Sequence, residues 1–231
     1  MELFFGHQTS PSHIALEESD ARHCAAVLRH KAGDTIWCSD GKGNKWKIEI
    51  DAINKNKVEG IILEHRVFER IQPFVHLVIG IAKHQDRWEW LIEKLTEFGI
   101  NRITPIITRH TERKNINEDR LRKIMVAAMK QSNQAWLPQL DAVCTFEQFL
   151  AHPHHAPMLI AHNDEAISKS LVQHAWPSDG DTCALIGPEG GFSNEEIELA
   201  LAKGAKAWWL GETRLRLETA AIGAAAILRN R

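Results

Sequence analysis

Paired cysteines, long apolar runs and an excess of charge are all missing from this 231-residue chain. Its four cysteines (Cys24, Cys38, Cys144, Cys183) never form a Cys-x-x-Cys pair, which argues against a thiol zinc motif and against a disulfide framework. The expectation is reduced thiols in a cytoplasmic protein. No apolar stretch approaches the roughly 20 residues needed to cross a bilayer. The start, Met1-Glu2-Leu3-Phe4-Phe5-Gly6-His7, lacks the basic region and long apolar core of a secretory signal, so no membrane partner is expected. A formal net charge of −2 carries no global signature of a nucleic-acid binder. No Gly-x-Gly-x-x-Gly follows the first strand and no glycine loop ends in Gly-Lys-Ser/Thr, which argues against a Rossmann dinucleotide site and a P-loop.

What is present is an ordinary globular composition, 44% hydrophobic and 25% charged. The charge is unevenly spread. Arg102, Arg109, Arg113, Lys114, Arg120, Arg122, Lys123 and Lys130 face only Glu112, Glu118 and Asp119 in their stretch. That local basic excess fits phosphate contacts, and equally a solvated helix face. His152, His154 and His155 cluster around Pro153, but no cysteine or acidic partner stands nearby at ligand spacing, so no metal is predicted.

Residues 1–70 read as strand-rich. Asp34–Cys38 and Lys45–Ile50 flank the turn cluster Ser39-Asp40-Gly41-Lys42-Gly43-Asn44, as in a hairpin, and 57–64 forms a further strand. A helix capped near Ser19 would turn Cys24, Val27 and Leu28 inward. From residue 73 onward strands and helices alternate, which predicts a parallel α/β sheet. Strands are expected at 74–82, 102–108, 156–162, 182–186 and 205–210. Helices are expected at 86–98, 117–135, 164–175, after the capping box Ser193-x-x-Glu196, and at 218–229. In the first of these, Trp88, Leu91, Ile92, Leu95 and Phe98 follow the helical period, and Gly99 stops it.

Two loops near the C-terminus carry the functional reading. Ile186-Gly187-Pro188-Glu189-Gly190-Gly191-Phe192 and Leu210-Gly211-Glu212-Thr213-Arg214-Leu215-Arg216-Leu217-Glu218-Thr219-Ala220 each follow an apolar run and precede a helix. That places backbone-rich loops at the carboxyl ends of strands, where α/β proteins bind ligands. Glycine permits close approach there, and proline fixes one backbone angle.

Together with Val27-Leu28-Arg29, Asp40-Gly41-Lys42-Gly43, Lys94-Leu95-Thr96-Glu97-Phe98-Gly99 and Lys130-Gln131-Ser132, these loops resemble the ribosomal RNA uridine-N3 methyltransferase family. That family belongs to the SPOUT superfamily of S-adenosylmethionine enzymes, and the resemblance covers nearly the whole chain. It implies a PUA-like β-barrel over 1–70 and an α/β trefoil-knot methyltransferase domain over 73–231. It also implies a homodimer and a substrate in 16S ribosomal RNA, near the decoding region of the assembled small subunit. Carried over by position, the S-adenosylmethionine site would comprise Ile160, Ala161, His162, Ile186, Gly187, Gly190, Gly191, Leu210, Gly211, Leu215, Arg216, Thr219 and Ala220. Arg29, Lys42, Lys45, Arg109, Arg113 and Lys130 would hold RNA. Asn133-Gln134 stands where the family commonly has an arginine. Other readings of the same features are a SPOUT enzyme acting on tRNA or on a ribose 2′-hydroxyl, and a non-catalytic RNA-binding assembly factor.

Uracil N3 carries a weakly acidic imide proton and is a poor nucleophile until it leaves. Arg216 is the candidate to stabilise the resulting charge, with pairing to Glu218 or to a helix terminus as its alternative role. Glu189 is the candidate base or donor-orienting group, with helix capping as its alternative. Trp208 and Trp209 read as strand core rather than stacking platforms.

Overall fold

The computed structural model describes residues 2–153, 156–162 and 180–230; His154, His155 and the helix expected over 164–175 lie outside them. The chain forms two compact units, Met1–Arg70 with Met125–Leu137, and Ile71–Ile124 with Pro138–Arg231.

The first unit contains a closed five-stranded barrel of order β1-β2-β5-β4-β3, with β1 Leu3–Ser10, β2 His13–Leu16, β3 Thr35–Ser39, β4 Asn44–Ile53 and β5 Val58–Val67. The β3–β4 hairpin turns where expected because the Asp40 carboxylate accepts the backbone N–H groups of Lys42 (2.7 Å) and Asn44 (3.2 Å). Alternate residues of the strands point inward, and Phe4, Ile14, Cys38, Trp46, Ile48 and Val58 meet in the barrel core.

The helix differs from expectation. α1 (Glu18–Arg22) runs into one wider π turn over His23–Val27. Cys24 is buried, but Val27 and Leu28 are 65% and 37% exposed. The helix is over by Val27, and Arg29 takes a left-handed φ of 59° that turns the chain away.

Residues 125–137 belong to this unit through polar contacts that sequence periodicity does not encode. Lys45 Nζ donates to the carbonyl oxygen (2.7 Å) and side-chain oxygen (3.0 Å) of Asn133. Lys130 pairs with the buried Asp20, which also accepts the Phe5 N–H. Trp136 Nε1 donates to Phe68 O at 2.9 Å.

The second unit is built on a seven-stranded sheet of order β12-β10-β11-β6-β7-β8, with β9 also pairing β7 and every pairing parallel. The strands are β6 Val75–Gly80, β7 Arg102–Ile107, β8 Gln139–Leu140, β9 Cys144–Thr145, β10 Met158–Ala161, β11 Thr182–Ile186 and β12 Lys206–Trp208. Every residue of β6 and of β11 is buried, as in strands covered on both faces.

One face packs Val78, Ile160 and Leu185 against α4 (Phe146–Ala151) and α5 (Asn194–Ala202). On the other lie α2 (Gln85–Glu97), whose predicted stripe Trp88, Leu91, Ile92 and Leu95 is fully buried, and α6 (Leu217–Arg229). α3 (Glu118–Gln131) ends short of the expected residue 135. The short elements β1, β2, β8, β9 and α4 were not anticipated individually. Trp208 is buried in its strand, as expected.

Burial pushes the Cys24 thiol up to about 11 and those of Cys38 and Cys183 up to about 12, so they remain protonated and inert. Among the described residues, no helix is long and apolar enough to cross a membrane.

Arg229 ties the end of α6 to the rest of its unit. Its guanidinium donates to Pro73 O (2.7 Å), Asn101 Oδ1 (2.5 Å) and Gly99 O. Replacing Arg229 with methionine keeps the apolar stem but leaves these acceptors with fewer donors. The expected cost is about 3 kcal/mol, measured as a lower urea midpoint at unchanged slope.

Candidate functional site

Because the sheet is parallel, the carboxyl ends of β6, β7, β10, β11 and β12 open on the same side. The two glycine loops follow β11 and β12, with β10 between those strands. They therefore do not follow neighbouring strands but flank the end of β10, which supplies a third wall.

The first loop is a tight turn. Gly191 N–H donates to Pro188 O at 2.8 Å, and Gly191 has φ 72°. A Cβ on Gly187 would lie 3.0 Å from the Gly191 carbonyl carbon, a tight approach to the backbone across the turn. Beneath it, β6 ends in Gly80, where a Cβ would collide with Pro188 N and stand 2.6 Å from Pro188 Cδ.

The turn leads into α5 through the predicted capping box. Ser193 Oγ accepts the Glu196 N–H (3.3 Å), and Glu196 Oε2 accepts the Ser193 N–H (2.8 Å). The other oxygen of Glu196 accepts the Arg109 N–H at 2.8 Å, so one buried carboxylate pins the loop after β7 beside the first glycine loop.

These loops enclose a cleft of about 550 Å³, within the range of small-molecule sites. Of the residues expected to hold the methyl donor, Ala161, His162, Ile186, Gly187, Gly191, Leu210, Leu215, Arg216 and Ala220 line it. Pro188, Phe192, Asn194, Ile197, Arg214 and Leu217 line it too and were missed, although each lies in or beside the two motifs.

Four expected residues do not line the cleft. Ile160 is fully buried in the core one residue short of it. Gly211 turns the backbone with φ 138°, and Thr219 is exposed. Gly190 faces the other way, where a Cβ would sit 2.7 Å from His110 Cβ.

Arg216 is the N-cap residue of α6, exposed at the cleft. Its alternative partner is engaged elsewhere: Glu218 faces Arg87 Nε at 3.6 Å. Among the described residues no carboxylate pairs with Arg216, which leaves its guanidinium available. Glu189 is partly committed, since its Oε1 accepts the Lys83 N–H at 3.0 Å, just before α2. Its carbonyl oxygen accepts from Arg214 at 3.4 Å, which links the two loops.

The expected RNA contacts divide. Arg29 and Lys42 are exposed, and Arg109 is exposed in an ion pair with Glu195 at 3.1 Å. Arg113 is half-buried. Lys45 and Lys130 depart from expectation, because both ammonium groups are taken up inside the first unit by Asn133 and Asp20. Among the described residues no group of histidine, cysteine and carboxylate side chains could hold a metal ion.

The cleft fits S-adenosylmethionine in size and chemistry. The apolar side chains of Ile186, Phe192, Leu210 and Leu215 suit a purine ring, the loop backbones suit its polar edge, and Glu189 and Arg214 suit the charged amino-acid end.

Residues 70–229 match the family described as RNA methyltransferase domain, and residues 16–63 match the RNA methyltransferase PUA domain. The chain is 33% identical to ribosomal RNA small subunit methyltransferase E of Rickettsia conorii, over 88% of this chain and 83% of that one. It superposes on a probable rRNA-methyltransferase of Porphyromonas gingivalis with a TM-score of 0.90, at 31% identity, covering 99% and 98% of the two chains. A putative methyltransferase of Legionella pneumophila, solved with bound S-adenosylmethionine, gives a TM-score of 0.85 at 28% identity, covering 99% and 96%.

Proposed function

The chain belongs to the RNA methyltransferase domain family, and on that premise we propose that it methylates N3 of a specific uridine in 16S ribosomal RNA. It is an S-adenosylmethionine-dependent ribosomal RNA methyltransferase of the small subunit, with a SPOUT α/β domain and a PUA-like barrel. The observation that carries the reading is the cleft between the two glycine loops, in a chain that aligns end to end with a relative holding that methyl donor.

Ala161, Ile186, Gly187, Gly191, Leu210, Leu215 and Ala220 would hold S-adenosylmethionine, which supplies an electrophilic methyl group. The protein's own work is to seat the uridine, stabilise the charge left on the base and exclude competing geometry. Arg216 fits the second of these roles. The imide anion spreads its charge over the flanking carbonyl oxygens, and a guanidinium at the cleft, without a carboxylate partner among the described residues, would donate charge-assisted hydrogen bonds to them. The base must be unpaired or extruded for its N3 edge to reach the cleft. Exposed Arg29 and Lys42 in the first unit, and Arg109 and half-buried Arg113 in the second, would supply phosphate contacts.

The same reading takes the substrate near the decoding region of the assembled subunit, in the cytoplasm. The enzyme would act as a homodimer. Trp90 and Ile227, 47% and 36% exposed on the packed helices α2 and α6, support an apolar face for a second copy. The route from β11 through α5 to β12 beyond β10, and back to α6 over β6 and β11, supports a knotted passage.

Calorimetric titration with S-adenosylmethionine should give a saturable one-site isotherm. Absence of binding would favour the assembly-factor reading.

A further inference from the structure

The geometry points to His110 as the base that removes the uridine N3 proton, an inference that rests on the uridine-N3 reading above. His110 stands in the turn after β7, at the same side of the sheet as the cleft. The turn is closed by Thr111 N–H to Thr108 O (3.1 Å) and by Thr108 N–H to Thr111 Oγ1 (2.9 Å), and Glu196 holds the Arg109 N–H. The ring is therefore carried on a fixed backbone.

The imidazole lies 3.2 Å, through Nδ1, from the carbonyl oxygen of Gly191 in the first glycine loop. A carbonyl oxygen only accepts, so Nδ1 must carry the hydrogen in that contact. The neutral ring then presents a bare lone pair at Nε2. This second hollow, about 400 Å³, is formed by Arg109, His110, Thr111, Glu112, Glu189 and Gly190, and it shares Glu189 with the cleft.

An imidazole suits this proton transfer better than the Glu189 carboxylate. One Glu189 oxygen is already occupied by the Lys83 N–H, whereas the imidazole keeps one nitrogen open once Nδ1 faces the Gly191 carbonyl.

The step is a single proton transfer. The N3–H bond of the uracil breaks, an Nε2–H bond forms, and the electron pair stays on N3, delocalised over the two flanking carbonyl oxygens. The imidazolium returns the proton to water after turnover. The charged groups around the ring are Arg109 and Glu112 on its own turn, Lys83 paired with Glu112 at 2.7 Å, Glu189 on the glycine loop, and Glu195 and Glu196 on α5.

Gly190 gains a role from the same arrangement: it leaves room for His110 rather than for the methyl donor.

His110→Asn keeps a donor for the Gly191 carbonyl and removes the basic nitrogen. In this variant kcat for methylation of small-subunit RNA should fall about a hundredfold at neutral pH, with the S-adenosylmethionine Kd within twofold. Its residual rate should climb steadily with pH as solvent hydroxide takes over. Gly190→Ala should reproduce the loss of kcat by displacing the ring. Independently of turnover, nitrogen-detected NMR of the free protein should find His110 as the Nδ1–H tautomer. An unchanged kcat in His110→Asn, or an Nε2–H tautomer, overturns the inference. If the unaltered enzyme yields a product other than 3-methyluridine, the underlying reading fails and the inference falls with it.

Discussion

Replacing Arg216 with alanine is expected to lower kcat by two to three orders of magnitude, about 3–4 kcal/mol of transition-state stabilisation, while the S-adenosylmethionine Kd changes less than about twofold. The asymmetry follows from where the residue sits. Arg216 caps α6 with extended backbone angles and no side-chain hydrogen bond to the helix, so truncation does not remove a cap. Glu218, its alternative partner, is held beside Arg87, so no ion pair is broken either. What is lost is a guanidinium at the rim of the cleft that no carboxylate among the described residues pairs with, and on the proposed reading its charge acts only when the uracil becomes anionic. A side chain that works only at that moment appears in kcat rather than in binding of the methyl donor. Arg216→Lys should recover only part of the rate, because a point charge does not reproduce the planar fork. Equal losses in Kd and kcat would instead make Arg216 part of the donor site.

The second large effect lies outside both motifs. Gly80→Ala should weaken S-adenosylmethionine binding by about 10- to 100-fold and lower the melting temperature. The added methyl carbon would collide with Pro188 N and stand 2.6 Å from Pro188 Cδ, both parts of a stiff loop rather than the tip of a mobile side chain. The loop must retreat from the end of β6, and overpacking of this kind costs about 1–3 kcal/mol. Part of that cost falls on the cleft, because Gly187 and Pro188 line it. Calorimetry and thermal melts read the two effects separately, and an unperturbed Kd would show that the loop is not a wall of the donor site.

Local chemistry made much of this fold legible. The Ser193 capping box, the Asp40 turn and the α2 stripe are each decided within a few residues, and each forms where the sequence placed it. The cleft was legible for the same reason, since most of its wall comes from two continuous stretches.

What escaped depends on contacts between residues distant in sequence. Lys45 and Lys130 read as solvent-facing cations, yet their partners stand 88 and 110 positions away. Gly190 reads as part of the cleft wall because its neighbours Glu189 and Gly191 line the cleft, and only the position of His110 shows which way it faces. His110 was one of thirteen histidines with no motif around it. Its tautomer is set by a carbonyl 81 residues further on. Val27 and Leu28 misled through residue type alone: Val27 is the last residue of the wider π turn, Leu28 lies just beyond it, and both are exposed.

Methyl transfer to uridine N3 of small-subunit ribosomal RNA is tested most directly by mass spectrometry of nucleosides. Small subunits from cells lacking the gene would be incubated with the purified protein and S-adenosylmethionine, and their RNA digested. The expected result is one new 3-methyluridine per 16S molecule, absent when the protein or the methyl donor is omitted. Methylation only at a ribose 2′-hydroxyl, or no methylated nucleoside at all, would contradict it.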